Sequence, residues 1–247
     1  MGSVISKWEN ALLMRQDEYV APHIPITHRL SSDTLKHMLQ FFPFVYLKPD
    51  NSCQGKGLMR IDRLESGHFA LRVRDDGTRS VHASHASLLQ AIHRKKMNRR
   101  HYIVQQGINS KTLGGRMFDI RTHLMRIDGR WVVVGIVARI AREKGFVTNA
   151  YSGGKSYHVF PLLVEKLGYG EMEARFLIDQ MMRLSRRATK RISSVYPKWS
   201  EFGLDIGIDQ EGHLWIYEIN VHPGTLVFKN LGDAEHQHIL EMRKRAG

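Results

Sequence analysis

The sequence predicts an α+β fold, with antiparallel strand pairs and helices set between them. Turn signals at Asp75-Asp-Gly77, Asp128-Gly129 and Asp209-Gln-Glu-Gly212 each separate two runs with strand-like composition. A long amphipathic helix is expected from Glu171 to about Ser194. The polar loop at residues 49–57, with glycines at 55 and 57, runs from strand to strand. A Rossmann or Walker loop must run into a helix, so neither architecture fits.

In chain order, a helix over Ser6–Tyr19 is followed by Pro22 and Pro25, and residues 1–30 read as an extension. Ser31-Ser-Asp-Thr34 is an N-cap cluster that opens a short helix through Leu35, Met38 and Leu39, which closes before Pro43. A strand follows at Phe44–Lys48, then the loop, then a return strand at Leu58–Ile61. A hairpin joins Phe69–Arg74 to Thr78–His82. A helix over Ser84–Met97 turns Leu88, Leu89, Ile92 and Met97 inward, and His101–Gln105 is extended. Two long strands, Met117–Ile127 and Arg130–Ala141, flank Asp128-Gly129. In the long helix, Met172, Phe176, Met181, Leu184, Ala188 and Ile192 are expected inward as core filler. The last hairpin pairs Gly203–Ile208 with His213–Ile219.

Composition narrows the function classes. At 247 residues and 42% hydrophobic content the chain buries a full core, as one large domain or two lobes. No apolar run of about 18 residues and no signal-peptide core occur, so the expectation is a cytoplasmic protein with no membrane span. A single cysteine, Cys53, excludes an intramolecular disulfide framework and a Cys-rich zinc site. The net charge of +13 favours an anionic partner. The basic clusters, Arg94–Arg100 and Arg183–Arg191, lack any zinc-finger, helix-turn-helix or RNA-recognition motif, which argues against nucleic acid. Solvated helix faces account for most of these charges, and ATP or an acidic polymer remains compatible with the rest.

Chemistry concentrates at Glu218-Ile-Asn220. Strand residues two apart share a face, so these side chains present oxygen donors to one hard cation. The hairpin brings Asp205 across from them, and Asp205, Glu218 and Asn220 form a candidate magnesium set with room for a nucleotide. The competing reading is the polar face of a surface hairpin. In Lys48-Pro-Asp-Asn-Ser-Cys-Gln-Gly-Lys-Gly57 a strand ends in a cation and enters a loop whose glycines allow backbone amides to approach phosphate oxygens. An ordinary glycine turn is the alternative there. Cys53 reads as a spectator, although Lys48 or Lys56 would activate a nearby thiolate. Asp119-Ile-Arg121, Arg139, Asn149 and Gly153-Gly154 follow. Arginines suit phosphoryl groups because the planar guanidinium donates two parallel hydrogen bonds; cross-strand pairing with Asp119 competes with that role.

Taken in order, "YLKPDNSCQGKGLMRI", "YIVQQGI", "FDIRTHLMRIDGRWVVVGIVARIA", "VTNAYSGG" and "FGLDIGIDQEGHLWIYEINVHPG" resemble the ATP-grasp fold, most closely its YheC/YheD-type endospore coat-associated branch, from about Phe44 to Lys229. The resemblance implies two α+β lobes clasping ATP, with the N-terminal substrate domain short or absent. The expected divisions are an extension and short helix at 1–43, a small lobe at 44–106 and a large lobe at 107–247. It implies Lys48 and Gln54, Gly55, Lys56 and Gly57 on the phosphates, and Gln105, Gln106 and Ile108 on adenine. Asp205, Glu218 and Asn220 would hold one or two Mg2+ ions. Arg121, Arg139 and Asn149 would steady the transferred phosphoryl group or the acceptor. Lys36 is the candidate for a second nucleotide-contacting lysine. The implied activity is a ligase that activates a carboxylate as an acylphosphate for attack by an amine, forming a peptide or amide bond, with the acceptor and nucleophile unspecified. Spore coat components are implied partners. The alternative is a non-catalytic, coat-associated protein of the same fold that binds an anionic polymer.

Overall fold

The computed structural model describes residues 6–52, 55–97, 100–143, 145–148 and 153–246. Two compact units emerge, one comprising Ser6–Glu9 and Pro25–Ile108, the other Asn10–Ile24 and Asn109–Gly247.

The first unit is a six-stranded antiparallel sheet with two helices on one face. Its strands are β1 (Thr27–Arg29), β2 (Phe44–Pro49), β3 (Met59–Arg63), β4 (Phe69–Val73), β5 (Arg79–His82) and β6 (Tyr102–Gln106), in the order β1-β6-β2-β3-β4-β5. Helices α2 (Ser32–Phe41) and α3 (His85–Lys95) both start with reciprocal capping boxes, Ser31 with Thr34 and Ser84 with Ser87. Each box satisfies two amides that the first turn leaves without partners. Alternation along the strands sends Val45, Leu47, Met59, Ile61, Leu71 and Val104 under the helices with Leu35, Met38, Leu88 and Ile92. The opposite face therefore carries Tyr46, Lys48, Arg60, Asp62 and Gln105. Thr27–Arg29, in a stretch whose sequence reads as an extension, is a strand because its backbone pairs with Ile103–Gln105.

The second unit has a five-stranded antiparallel sheet, β7 (Phe118–Ile127), β8 (Arg130–Ile140), β9 (Lys155–Tyr157), β10 (Glu201–Ile208) and β11 (Leu214–Val221), in the order β11-β10-β7-β8-β9. The long helix α5 (Glu171–Ser193) covers one face. Around it lie α1 (Lys7–Met14), of which Ala11 and Met14 pack in this core, and the short α4 (Val159–Pro161) continuing into a π-helical turn, Leu162–Lys166. Helices α6 (Leu226–Lys229) and α7 (Asp233–Arg245) cover one end of the other face, where Phe228 and Ile239 meet Met125, Ile127, Val134 and Val137. A Cβ on Gly135 would collide with both Phe228 and Ile239, so the glycine permits this approach.

The register of α5 differs from expectation. Leu177, Met181, Leu184, Ala188 and Ile192 are buried, as is Ala174, whereas Met172 and Phe176 are 86% and 57% exposed. At about 100° per residue, the five-residue step from Phe176 to Met181 swings the side chain roughly 140° off the core stripe. Ala174 and Leu177 continue the stripe instead, at steps of three and four.

Candidate functional site

On the helix-free face of the six-stranded sheet, Lys48 stands near the end of β2 and donates from Nζ to Gln105 Oε1 at 2.6 Å. Gln105, on the neighbouring β6, passes its Nε2 hydrogen to Thr27 Oγ1 at 3.1 Å, and that hydroxyl donates to the Pro25 carbonyl. The lysine is thus oriented by a chain of side chains crossing three strands. Gln106 engages the Ile26 backbone with both its main chain and its side chain: its amide N–H donates to Ile26 O, and its Oε1 accepts from Ile26 N. Ile108 is buried at 5% exposure. Lys36 lies exposed on α2.

In the loop after β2, Gly55 and Gly57 adopt φ of 72° and 74°, the left-handed region that favours glycine. The Gly57 amide donates to Asp75 Oδ2 at 2.7 Å, and a Cβ there would strike Pro49, Tyr102 and Met97. Gly57 therefore ties the loop to the β4–β5 turn, and its amide is already committed to a carboxylate. The Lys56 carbonyl accepts from Ser52 Oγ. Cys53 and Gln54 fall outside the described residues. Two cations not assigned from the sequence brace the loop's start: Lys7 donates to Ser52 O at 2.5 Å, and Arg100 donates to Asn51 O and Oδ1 at 2.8 and 2.7 Å.

Deeper on the same face, Arg60 lies 3.8 Å above the Phe44 ring centroid and shares Asp62 with Arg72. Burial raises the Asp62 pKa, but the two guanidiniums outweigh it and hold the carboxyl below its usual range. Burial pushes the Tyr46 phenol up, opposed by Arg60.

The five-stranded unit assembles the acidic residues. Asp205 and Glu218 are direct partners across β10 and β11, and Gly203 opposes Asn220. The pairing then shifts: Ile206 opposes Ile216, leaving Tyr217 as the extra residue of a bulge. The bulge places Ile216 and Ile219 in the core while Glu218 and Asn220 share the face of Asp205, an inversion that strict alternation from Ile216 would not give. A Cβ on Gly207 would overlap the Tyr217 hydroxyl, so glycine makes room for the bulged ring.

Asp205 is gripped by both predicted arginines. Arg121, opposite it on β7, donates Nε to Oδ1 at 2.6 Å and Nη2 to Oδ2 at 3.0 Å. Arg139 Nη2 reaches Oδ1 at 2.7 Å, and the same guanidinium lies bidentate on Asp119. Burial lowers the Arg139 pKa, but Asp119 and Asp205 more than compensate, and it stays fully charged. Thr148 donates to Asp119 Oδ2 at 2.6 Å. Asn149 is outside the described residues. Lys48 and the glycine loop form one local group in the first unit; Arg121, Arg139, Asp205, Glu218 and Asn220 form another in the second.

A buried knot supports the end of β11. Glu201, 3% exposed, accepts from His123 Nε2 at 2.6 Å and from Arg243 of α7, and lies 3.1 Å from His222 Nδ1. His222 takes φ 46°, and Pro223 packs where a Cβ of Gly203 would be. Burial lowers the His123 pKa, so its neutral ring donates to Glu201. Burial raises Glu201, but its bonds from His123 and Arg243 prevail and its pKa is lowered. These residues are scattered over the chain, with no local spacing to reveal them.

The donors suit magnesium: two carboxylates and an amide oxygen on one face, all hard oxygen ligands. Asp205 Oδ1 accepts from both Arg121 Nε and Arg139 Nη2, and Oδ2 from Arg121 Nη2, so the guanidiniums fix the orientation of this carboxylate. Among the described residues no trio of His, Cys, Asp or Glu is gathered for a metal, so the set depends on Asn220 for its third oxygen ligand. No helix among them is long and apolar enough to cross a membrane.

The sequence model described as YheC/D-like ATP-grasp matches residues 2–244. The endospore coat-associated protein YheD of Bacillus subtilis (strain 168) is 25% identical over 91% of this chain and 49% of its own length. YheC of the same organism, also described as endospore coat-associated, is 24% identical over 88% of this chain and 60% of its own. The chain thus spans about half to three-fifths of these relatives. Among solved structures, VanG D-Ala:D-Ser ligase from Enterococcus faecalis superposes with a TM-score of 0.57 at 13% identity, covering 97% of this chain and 61% of that one. N5-carboxyaminoimidazole synthase from Aspergillus clavatus, solved with ADP and a ribonucleotide, gives 0.50 at 11% identity over 88% and 44%. The α+β ATP-grasp fold expected from the sequence is the one observed.

Proposed function

Since the chain belongs to the YheC/D-like ATP-grasp family, we propose that it is an ATP- and Mg2+-dependent ligase that activates a carboxylate as an acylphosphate and transfers the acyl group to an amine. In that reaction a carboxylate oxygen bonds to the γ-phosphorus of ATP and ADP departs. The amine then bonds to the acyl carbon, phosphate departs, and the amine loses a proton. Positioning and charge neutralisation supply most of the acceleration in phosphoryl transfer, so no dedicated general base is needed for the first step.

The observation that carries this reading is the facing of Asp205 and Glu218 across β10–β11 with Asn220 on the same side. These three would hold one or two Mg2+ ions. When bound, magnesium neutralises phosphate charge. Lys48, oriented by Gln105, and the loop at Gly55 and Lys56 would receive the phosphates, with Gln54 beside them and Gly57 holding the loop in place through Asp75. Gln106 and Ile108 would border adenine, with Gln105 contributing through Lys48. Arg121 would orient the phosphoryl group or acceptor carboxylate through its remaining donors; Arg139 and Asn149 complete the assigned set. The acceptor, the amine and a setting among spore coat components belong to the same proposal.

Calorimetric titration with AMP-PNP tests the reading. Binding should require Mg2+ and should weaken at least tenfold in Glu218→Ala with the fold retained; a wild-type protein that binds no nucleotide refutes it. ADP release across amino acids, short peptides and cell-wall precursors would then identify the acceptor.

A second reading is favoured by the +13 charge and the relatives' description as coat-associated: a non-catalytic protein of this fold that binds an acidic polymer. Polymer binding that persists in the Asp205→Ala/Glu218→Ala double variant, with no turnover in the wild type, would select it.

A further inference from the structure

The two guanidiniums beside Asp205 pose an electrostatic problem for a cation. Arg121 and Arg139 against Asp205 alone leave a local charge of +1, and a divalent ion approaching Asp205 would be repelled. Asp119 removes that excess, so these four groups sum to zero.

Geometry makes Asp119 more than a nearby charge. It is the cross-strand partner of Arg139 and takes Arg139 Nε on Oδ1 at 2.7 Å and Nη2 on Oδ2 at 2.6 Å. Both are buried, at 7% and 6% exposure. Arg139 Nη2 also reaches Asp205, so both of its hydrogens go to carboxylates. The Nε/Nη2 edge, one of the two by which a guanidinium makes parallel paired bonds, is occupied by Asp119.

We propose that Asp119 is an electrostatic positioning residue for the divalent ion, cancelling the charge of Arg139 and anchoring it so that Arg139 orients Asp205 without repelling the cation. The inference rests on the magnesium-nucleotide reading above. Arg139, in consequence, acts on the ion through Asp205.

The test uses Mn2+ as the probe, with the full chain and AMP-PNP, reading free Mn2+ by electron paramagnetic resonance. Wild-type binding is measured first; its absence would remove the reading on which the inference rests. Given wild-type binding, Asp119→Asn should weaken Mn2+ affinity about tenfold or more. Arg139→Gln should hold the ion at least as tightly as wild type. The double variant, with the charge balance restored, should return to within about threefold of wild type. A purely structural role predicts the opposite for the pair: both singles weaken binding, and the double is no better than Asp119→Asn. That pattern, or an unchanged Asp119→Asn, overturns the proposal. Should Asp119→Asn fail to fold, Arg139→Gln decides, since a tenfold loss there also overturns it.

Discussion

Asp205 and Glu218 oppose each other across the β10–β11 ladder, and the next pair, Ile206 with Ile216, skips Tyr217. One unpaired residue thereby turns the acidic end of β11 onto the polar face while Ile216 stays in the core. The bulge is the local device that lets a single strand serve both the hydrophobic layer and the candidate metal site.

Gly207 is the tightest point of that device. Gly207→Ala should destabilise the five-stranded unit by about 2–3 kcal/mol, because the methyl group and the Tyr217 ring compete for the same space. Urea denaturation followed by tryptophan fluorescence measures it; a loss below 0.5 kcal/mol, as is usual for a surface change, contradicts the assigned packing.

The register of α5 gives a contrast on one helix. Leu184→Ala should cost about 2–5 kcal/mol, since Leu184 is 1% exposed, whereas Met172→Ser and Phe176→Ser should stay within about 0.5 kcal/mol. Comparable losses for all three would place the helix differently.

Acid should weaken the same unit. The folded pKa of His123 is lowered by burial, so the unfolded chain takes up that proton first, and stability is lost as pH falls below about 6.5. His23, also lowered by burial, acts with the same sign. The folded pKa of Glu201 is lowered too, so its contribution is present above the unfolded carboxylate value and disappears as pH falls through the folded one. The unfolding free energy from urea denaturation should fall between pH 7.5 and 5.5, by up to about 1.4 kcal/mol per pH unit for each proton, and His123→Gln should flatten the slope. A midpoint that rises on acidification is incompatible with a neutral buried His123.

Thr27 links the N-terminal edge strand to Lys48 through Gln105. Thr27→Val preserves shape but leaves the Gln105 Nε2 hydrogen and the Pro25 carbonyl unpaired, and should cost about 1–3 kcal/mol. Nucleotide affinity should fall with it if Gln105 orients Lys48; unchanged affinity in a destabilised variant would separate the two.

Much of the scaffold is legible in the sequence because its signals are local. The Ser31 and Ser84 caps, the Asp128-Gly129 turn and the span of α5 each depend on residues within one or two turns of one another. The five ordered segments resemble the family whose match extends over residues 2–244. The N-terminal edge escapes such reading, since Thr27–Arg29 is a strand only through its pairing with β6. The spacing of Met172 and Phe176 likewise looks helical without revealing which side of the helix meets the sheet.

The sequence by itself determined the α+β class, the family, and the placing of Glu218 and Asn220 two apart in a strand after a tight turn. Only the tertiary structure decided that a bulge at Tyr217 aims them at Asp205's face, that Arg121 grips a carboxylate 84 residues away, and that Arg139 is divided between Asp119 and Asp205. Turns and periodicity are written in neighbouring residues, whereas the charge balance of a buried site is set by sheet order, which brings distant strands side by side.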